Sequence, residues 1–437
     1  MMVQTSDRRW KTKPLDCWQK GKELRLNYYR DVATAREQGK LLVSGSGTWA
    51  QTLPAGLGDH VFFSGEPYGA SISHDPGFAQ ECAEATEAHG LARDLCAYMR
   101  NYWGSMYLDK YLFGGPFPRP DFYLSFHLCD SHAKWYELAA EYTGAPQFAI
   151  DWPVAAYREN REVRAEYVAG QMWDAIEWME RLTGRKFDDE KLIEAIENEV
   201  YALRYFSETL ILNQAVPAPL DHKSQLSLYV HTINMKHTRE ARDFYKLLRD
   251  EVQDRVDNQI ASLATERYRI WHDNIPPWFF LRFFRNMEQY GAACVGSFYL
   301  FIFGAFIQDE MGNWVPHPTP QEMGLSFRGR EDALRFYSEY IIDSPGYDMF
   351  YLAHLKTAHI LQLMKQYTCG AMVMHLNRGC EGHAEGQLEF RLGLLEKGIP
   401  VLTYEGNMAD KREFDEAQVL DRLESFMESL GLNKLEG

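Results

Sequence analysis

Apolar residues change period twice along this chain. Between residues 40 and 155 they come in short runs, "KLLVSG" (40–45), "DHVFFSG" (59–65), "DFYLSFHL" (121–128) and "PQFAIDWP" (146–153), which read as strands. Segments 78–113 and 130–143 carry helical spacing, and 1–40 reads as helical and polar. This alternation predicts a parallel sheet covered by helices. Over 159–270 the period becomes helical: Phe244, Leu248, Val252, Val256 and Ile260 recur at every fourth position, with Leu247 and Leu263 on the same face. Val163, Tyr167, Met172, Ile176, Met179 and Leu182 repeat the pattern earlier. From about 275 strand-like runs return, at "AACVGSFYLF" (292–301), "YDMFYLAHL" (347–355), "GAMVMHL" (370–376) and "IPVLTYEG" (399–406). The closing "DEAQVLDRLESFMESLGL" is an amphipathic helix. The expected fold class is α/β. Two lobes, 1–158 and 275–437, each hold a small parallel sheet flanked by helices, and a mainly helical connector, 159–274, joins them.

Length agrees with more than one domain, because 437 residues exceed what one core usually fills. The net charge of −16 argues against nucleic acid or an anionic membrane as partner. "MMVQTSDRRWKTKP" lacks the apolar core of a signal peptide, and the most apolar run, "ACVGSFYLFIFGAF", is too short to span a bilayer. A cytoplasmic protein is the simplest expectation. Seven cysteines, an odd number in a long chain without a secretion signal, predict free, buried or metal-bound thiols rather than disulfides.

Familiar motifs fail. Gly45, Gly47 and Ala50 have dinucleotide-binding spacing after a strand, but Pro54, Gly56 and Gly58 interrupt the helix that should follow, so a glycine-rich turn is the simpler reading. There is no phosphate-loop motif, so no ATP site is expected in this chain. HExxH, GxSxG and paired CxxC motifs are also absent.

Three cysteines stand apart by position. Ligands of open α/β sheets sit at the carboxyl ends of strands. Cys129 directly follows "DFYLSFHL", and Cys380 follows "GAMVMHL" after a short loop. Both precede helical segments, whose N-termini favour a thiolate. Cys96 lies near the start of the helical run in "GLARDLCAYMRNYWG". Three thiolates would hold three irons of a [4Fe-4S] cluster and leave one open. The competing reading is three buried thiols acting as small hydrophobes. Cys17, Cys82, Cys294 and Cys369 lack the strand-end placement, and Cys294 and Cys369 read as packing residues.

Four blocks then carry a resemblance: "GLARDLCAYMRNYWG", "DFYLSFHLCDSHAKWYELAAEYTGAPQFAIDWP", "HLNRGCEGH" and "EKGIPVLTYEGNMADKREFDEAQVLDRLESFMESLGL". In this order, from about residue 40 to the end, the chain resembles the 2-hydroxyacyl-CoA dehydratase and benzoyl-CoA reductase family. The last block is most like the B subunits of ATP-dependent benzoyl-CoA reductases. The resemblance implies two α/β lobes with a [4Fe-4S] cluster between them, ligated by Cys96, Cys129 and Cys380, with one open iron. It further implies a related cluster-binding subunit, an acyl-CoA substrate, and separate ATP-hydrolysing electron-activating subunits that draw on ferredoxin. The activity it implies is reductive dearomatisation of benzoyl-CoA. The alternatives are a 2-hydroxyacyl-CoA dehydratase subunit or an electron relay for a partner chain.

The chain departs from the family in the loop "GSGTWAQTLPAG", which lacks the proline–glutamate pair of many dehydratases. Glu66, after the next strand, matches an acidic position of the family, and equally reads as a loop carboxylate. Candidate proton donors are His132, His375, His383 and Tyr98. Asn377 and Arg378 either tune a cluster on Cys380 or shape its loop. Arg100, Lys134 and Arg378 either neutralise the cluster and bind CoA phosphates or are solvated charges.

Overall fold

The computed structural model describes residues 8–153, 160–346 and 353–435. Two four-stranded sheets, parallel throughout, organise it. The first comprises β1 (Leu41–Gly45), β2 (His60–Ser64), β3 (Phe122–Phe126) and β4 (Gln147–Ile150), in the order β2-β1-β3-β4. The second comprises β5 (Tyr268–Asp273), β6 (Ala292–Ser297), β7 (Ala371–Asn377) and β8 (Val401–Gly406), in the order β8-β7-β5-β6. Counting each lobe's strands from its own first, both orders are 2-1-3-4 read from opposite edges, so the lobes share one plan. Most strands are buried on both faces, as parallel strands under helices must be.

The predicted runs at 40–45, 59–65, 121–128, 146–153, 370–376 and 399–406 all contain strands. The run at 292–301 is a strand only to Ser297, after which Phe298–Phe301 is helical, with Ser297 capping the Leu300 N–H. Two expectations need correction. "YDMFYLAHL" is not a strand where described: Ala353–Gln366 is a helix, and 347–352 lie outside the described residues. Tyr268–Asp273, within the stretch read as helical, is a central strand of the second sheet. Its Arg269, His272 and Asp273 hide the apolar signal of a buried strand.

The stretch between the sheets is otherwise mainly helical, with long helices at Arg161–Thr183, Asp189–Leu212 and Arg239–Asp257; Ile260, read as continuing the last of these, instead lies in a two-residue strand, Ile260–Ala261, paired with Lys11–Thr12. One core runs from the first helix (Trp18–Thr34) through both sheets to the last (Glu416–Ser429), and a second lies under the outer face of the first sheet. Gly45 ends β1 where an added Cβ would lie 1.7 Å from the Leu124 carbonyl oxygen, so close strand approach explains that glycine. Among the described residues no helix is long and apolar enough to cross a membrane.

Candidate cysteine-lined site

The carboxyl ends of the two sheets meet at one cavity. Thr48 reaches it from beyond β1, Glu66 from β2, Cys129 from β3, Ile275 from β5, Tyr299 from β6, Cys380 from β7 and Met408 from β8. Among the described residues the edge strand β4 adds none. In a 2-1-3-4 sheet the chain reverses direction between strands 1 and 3, and the loops there part to leave a crevice. Cys129 and Cys380 both follow the third strand of their lobe, each three residues beyond its end at Phe126 and Asn377. The two thiols therefore occupy equivalent positions in related lobes.

Cys96 arrives differently. It caps the helix Ala97–Tyr107, and the Ala97 N–H donates to the Gly379 carbonyl at 3.4 Å, tying the Cys96 and Cys380 loops together. Cys129 caps the helix Asp130–Thr143, and Cys380 caps the short turn Glu381–Ala384. All three line the cavity and are half-buried. Burial raises the Cys96 thiol to about 12, with the neighbouring Cys129 charge adding and the Tyr98 and Met99 N–H groups opposing. Burial raises Cys380 well above its ordinary value, with Cys96 and Cys129 adding. At Cys96 and Cys380 the helix termini therefore do not win against desolvation.

Three thiols whose charged forms oppose one another in an apolar cavity are a donor set that a positively charged group would relieve. Soft sulfur ligands favour iron–sulfur clusters or zinc. Among the described residues no three such side chains are placed to hold a single metal ion.

On the first-lobe side the cysteine belongs to a polar line. Cys129 Sγ lies 3.1 Å from His132 Nδ1, and His132 Nε2 lies 2.6 Å from Glu66 Oε1. The Gly47 N–H donates to the other Glu66 oxygen at 3.1 Å. Burial alone would lower the imidazole, but Cys129 and Glu66 outweigh it and raise His132 to about 10. Burial alone would raise Glu66, but His132 and the backbone N–H groups outweigh it and hold the carboxyl below its usual range. His132 thus reads as an imidazolium, donating to sulfur and carboxylate.

On the second-lobe side the wall is phenolic. Tyr299 and Tyr229 hydroxyls meet at 2.6 Å, and Tyr98 accepts from the Trp278 indole N–H. The buried His383 ring lies 5.3 Å from that of Tyr299. Tyr229, from the connector, and Tyr299 were not among the sequence candidates. Tyr299 directly follows a strand end and was findable by that rule, whereas nothing local marks Tyr229.

The cavity thus gathers Cys96, Cys129, Cys380, Glu66, His132, His383 and Tyr98. Other candidates lie elsewhere. His375 is buried within β7, where Nδ1 donates to the Ile275 carbonyl at 2.6 Å and the ring stacks on Tyr404. Asn377 shapes the loop: its side-chain oxygen accepts from the Gly379 N–H at 3.1 Å and the Met408 N–H at 3.2 Å. Arg378 points away and pairs with Glu405, both mostly exposed. Arg100 is neither solvated nor in the cavity; it is buried and paired with Asp410 at 3.1 Å. Lys134 is a surface cation beside Glu137. Cys17, Cys82, Cys294 and Cys369 do not line the cavity.

Residues 69–430 match the family described as 2-hydroxyglutaryl-CoA dehydratase, D-component. The chain is 26% identical over 404 residues to the (R)-phenyllactyl-CoA dehydratase alpha subunit of Clostridium sporogenes, covering 92% of each. It is 24% identical over 416 residues to the (R)-2-hydroxyisocaproyl-CoA dehydratase alpha subunit of Clostridioides difficile, covering 93% of this chain and 94% of that one. It is also 24% identical over 363 residues to the B subunit of the benzoyl-CoA reductase of Thauera aromatica, covering 78% of each. The chain therefore belongs to the 2-hydroxyglutaryl-CoA dehydratase D-component family, whose relatives here include both 2-hydroxyacyl-CoA dehydratase and benzoyl-CoA reductase subunits.

Proposed function

We propose that this chain is the iron–sulfur subunit of an acyl-CoA enzyme. Cys96, Cys129 and Cys380 hold three irons of a [4Fe-4S] cluster, and benzoyl-CoA takes up two electrons and two protons to give cyclohexa-1,5-diene-1-carbonyl-CoA. The observation that carries this reading is one cavity shared by three sequence-distant cysteines, a Cys–His–Glu line and a wall of aromatic rings. Such a cluster supplies low-potential electrons and a Lewis-acidic iron free of protein ligands. The protein's own part is placement and protons. His132 holds a proton between sulfur and carboxylate at the cavity wall, where a reduced ring needs one. Trp135, Tyr229, Tyr299 and Phe303 offer flat faces to an aryl group and keep water out.

A second reading, a 2-hydroxyacyl-CoA dehydratase subunit, is favoured by the dehydratase alpha subunits among the relatives. It eliminates water with no net electron uptake. In either case the relatives carry names of alpha and B subunits, which supports partner chains. We take these to be a related cluster-binding subunit and ATP-hydrolysing, ferredoxin-fed electron-activating subunits. The experiment gives the anaerobic complex ATP, a reductant, and either benzoyl-CoA or a 2-hydroxyacyl-CoA. Dienoyl-CoA with two electrons consumed supports reduction. Enoyl-CoA formed without net electron uptake, and no dienoyl product, replaces it with dehydration.

A further inference from the structure

Beside the cysteine cavity lies an open groove of about 680 Å³, and Pro67 and Tyr229 line both. The two spaces are thus separated by a thin partition. On the cavity side it adjoins Glu66, hydrogen-bonded to His132, and on the groove side it opens to solvent.

The groove is built unlike the rest of this acidic chain. Arg25 and Lys223 line it, with one carboxylate, Asp75, which is engaged in accepting from the Phe78 N–H at 3.1 Å; among the described residues neither cation is in an ion pair. Against a net charge of −16 two unpaired cations in one concave site draw an anionic ligand. Large apolar side chains stand beside them in solvent: Leu26 is 58% exposed and Phe113 is 42% exposed. One face of Phe113 stacks on Tyr29 at 4.1 Å, which fixes the ring at the groove's edge. Guanidinium and ammonium groups pair with phosphate, and an exposed ring accepts a stacked base.

We infer that this groove takes the adenosine-phosphate end of the acyl-CoA, with Arg25 and Lys223 on its phosphates and Phe113 against its base. The acyl end then passes between Pro67 and Tyr229 into the cysteine cavity. This rests on the acyl-CoA reading above. A second groove also reaches Cys129, but it sets two carboxylates, Asp130 and Asp151, against one arginine, Arg164, whereas the first sets one, Asp75, against Arg25, Lys223 and Arg282.

The test uses the anaerobically purified complex and free CoA as probe, measured by calorimetry. In the Arg25→Gln/Lys223→Gln double variant, CoA binding weakens at least tenfold and the KM for acyl-CoA rises in step. Iron, sulfide and the visible spectrum stay as in the parent, which shows that the fold is intact. Phe113→Ala weakens CoA further but leaves inorganic phosphate competition unchanged. Parental CoA affinity in the double variant with full iron overturns the groove alone. So does a tenfold gain in CoA affinity on Asp130→Arg/Asp151→Arg with no loss on the double variant. A parent complex that binds no CoA overturns the acyl-CoA reading and this inference with it.

Discussion

The two lobes share a strand order and a cysteine three residues beyond the third strand, yet they treat that cysteine differently. In the first lobe Cys129 leads through His132 to Glu66, a line of proton-bearing groups at the cavity wall. In the second, Cys380 faces hydrogen-bonded phenols and a buried histidine, His383. The common plan places two thiols at one crevice, and the loops decide what surrounds each. On the proposed function the first lobe handles protons and the second mainly excludes water.

The largest effects test what the lobes share. Serine is a harder and poorer iron ligand than cysteine. Cys129→Ser and Cys380→Ser should each lose most of the iron and sulfide of the anaerobic complex, and with them the visible absorption. A variant from either lobe that keeps a full cluster removes that cysteine from the ligand set. The next effect tests the difference. His132→Gln should keep the iron but lower kcat by about 10²–10⁴, the range for a lost general acid or base. Tyr299→Phe, on the opposite wall, should lower it by less than about tenfold, since one neutral hydrogen bond is removed. Equal losses would make the proposed division of labour wrong.

The third strands differ as well. Counting back five residues from each cysteine gives Leu124 in β3 and His375 in β7, both fully buried. Burial pulls His375 down to about 4. Below its unfolded value of about 6.5 the unfolded chain binds a proton that the folded chain refuses. This contribution is therefore complete above pH 6.5 and is lost as pH falls toward 4, by about 3 kcal/mol at most. His375→Leu copies the first lobe. It should cost about 1 kcal/mol at pH 7.5, through the lost bond to Ile275, and flatten the fall in melting temperature between pH 7.5 and 5. An unchanged slope would show that His375 does not titrate with unfolding.

These contrasts also separate what the sequence discloses from what it hides. Continuous apolar runs disclose β1 to β4 and β6 to β8, because a parallel strand under helices is mostly apolar. Tyr268–Asp273 breaks that rule. Arg269 donates to the carbonyls of Asn213, Gln214 and Ala215, and Asp273 pairs with Lys356 at 3.3 Å, so the partners of these two charges lie far along the chain. Strand-end placement discloses Cys129 and Cys380. Cys96 rests on a bond between Ala97 and Gly379 that no local pattern contains. His132 is visible as a candidate, but its contact with Glu66, 66 residues away, exists only in the fold.

The smallest expected effect concerns two adjacent residues of the second-lobe loop. Asn377 ends β7 with its side chain turned inward onto the Gly379 and Met408 N–H groups. The next residue faces the opposite way, because successive side chains of an extended chain alternate. The Arg378 N–H continues the ladder to the Gly406 carbonyl at 2.9 Å, while its guanidinium stands in solvent beside Glu405. Exposed pairs of this kind contribute about 0–1 kcal/mol. Arg378→Ala should therefore leave iron content and kcat within about twofold and stability within about 0.5 kcal/mol. Asn377→Ala frees two buried N–H groups and should cost about 1–3 kcal/mol in thermal unfolding. If Arg378→Ala were the more damaging change, a charge two residues from Cys380 would be acting through solvent on the site. The loop would then do more than hold the thiol in place.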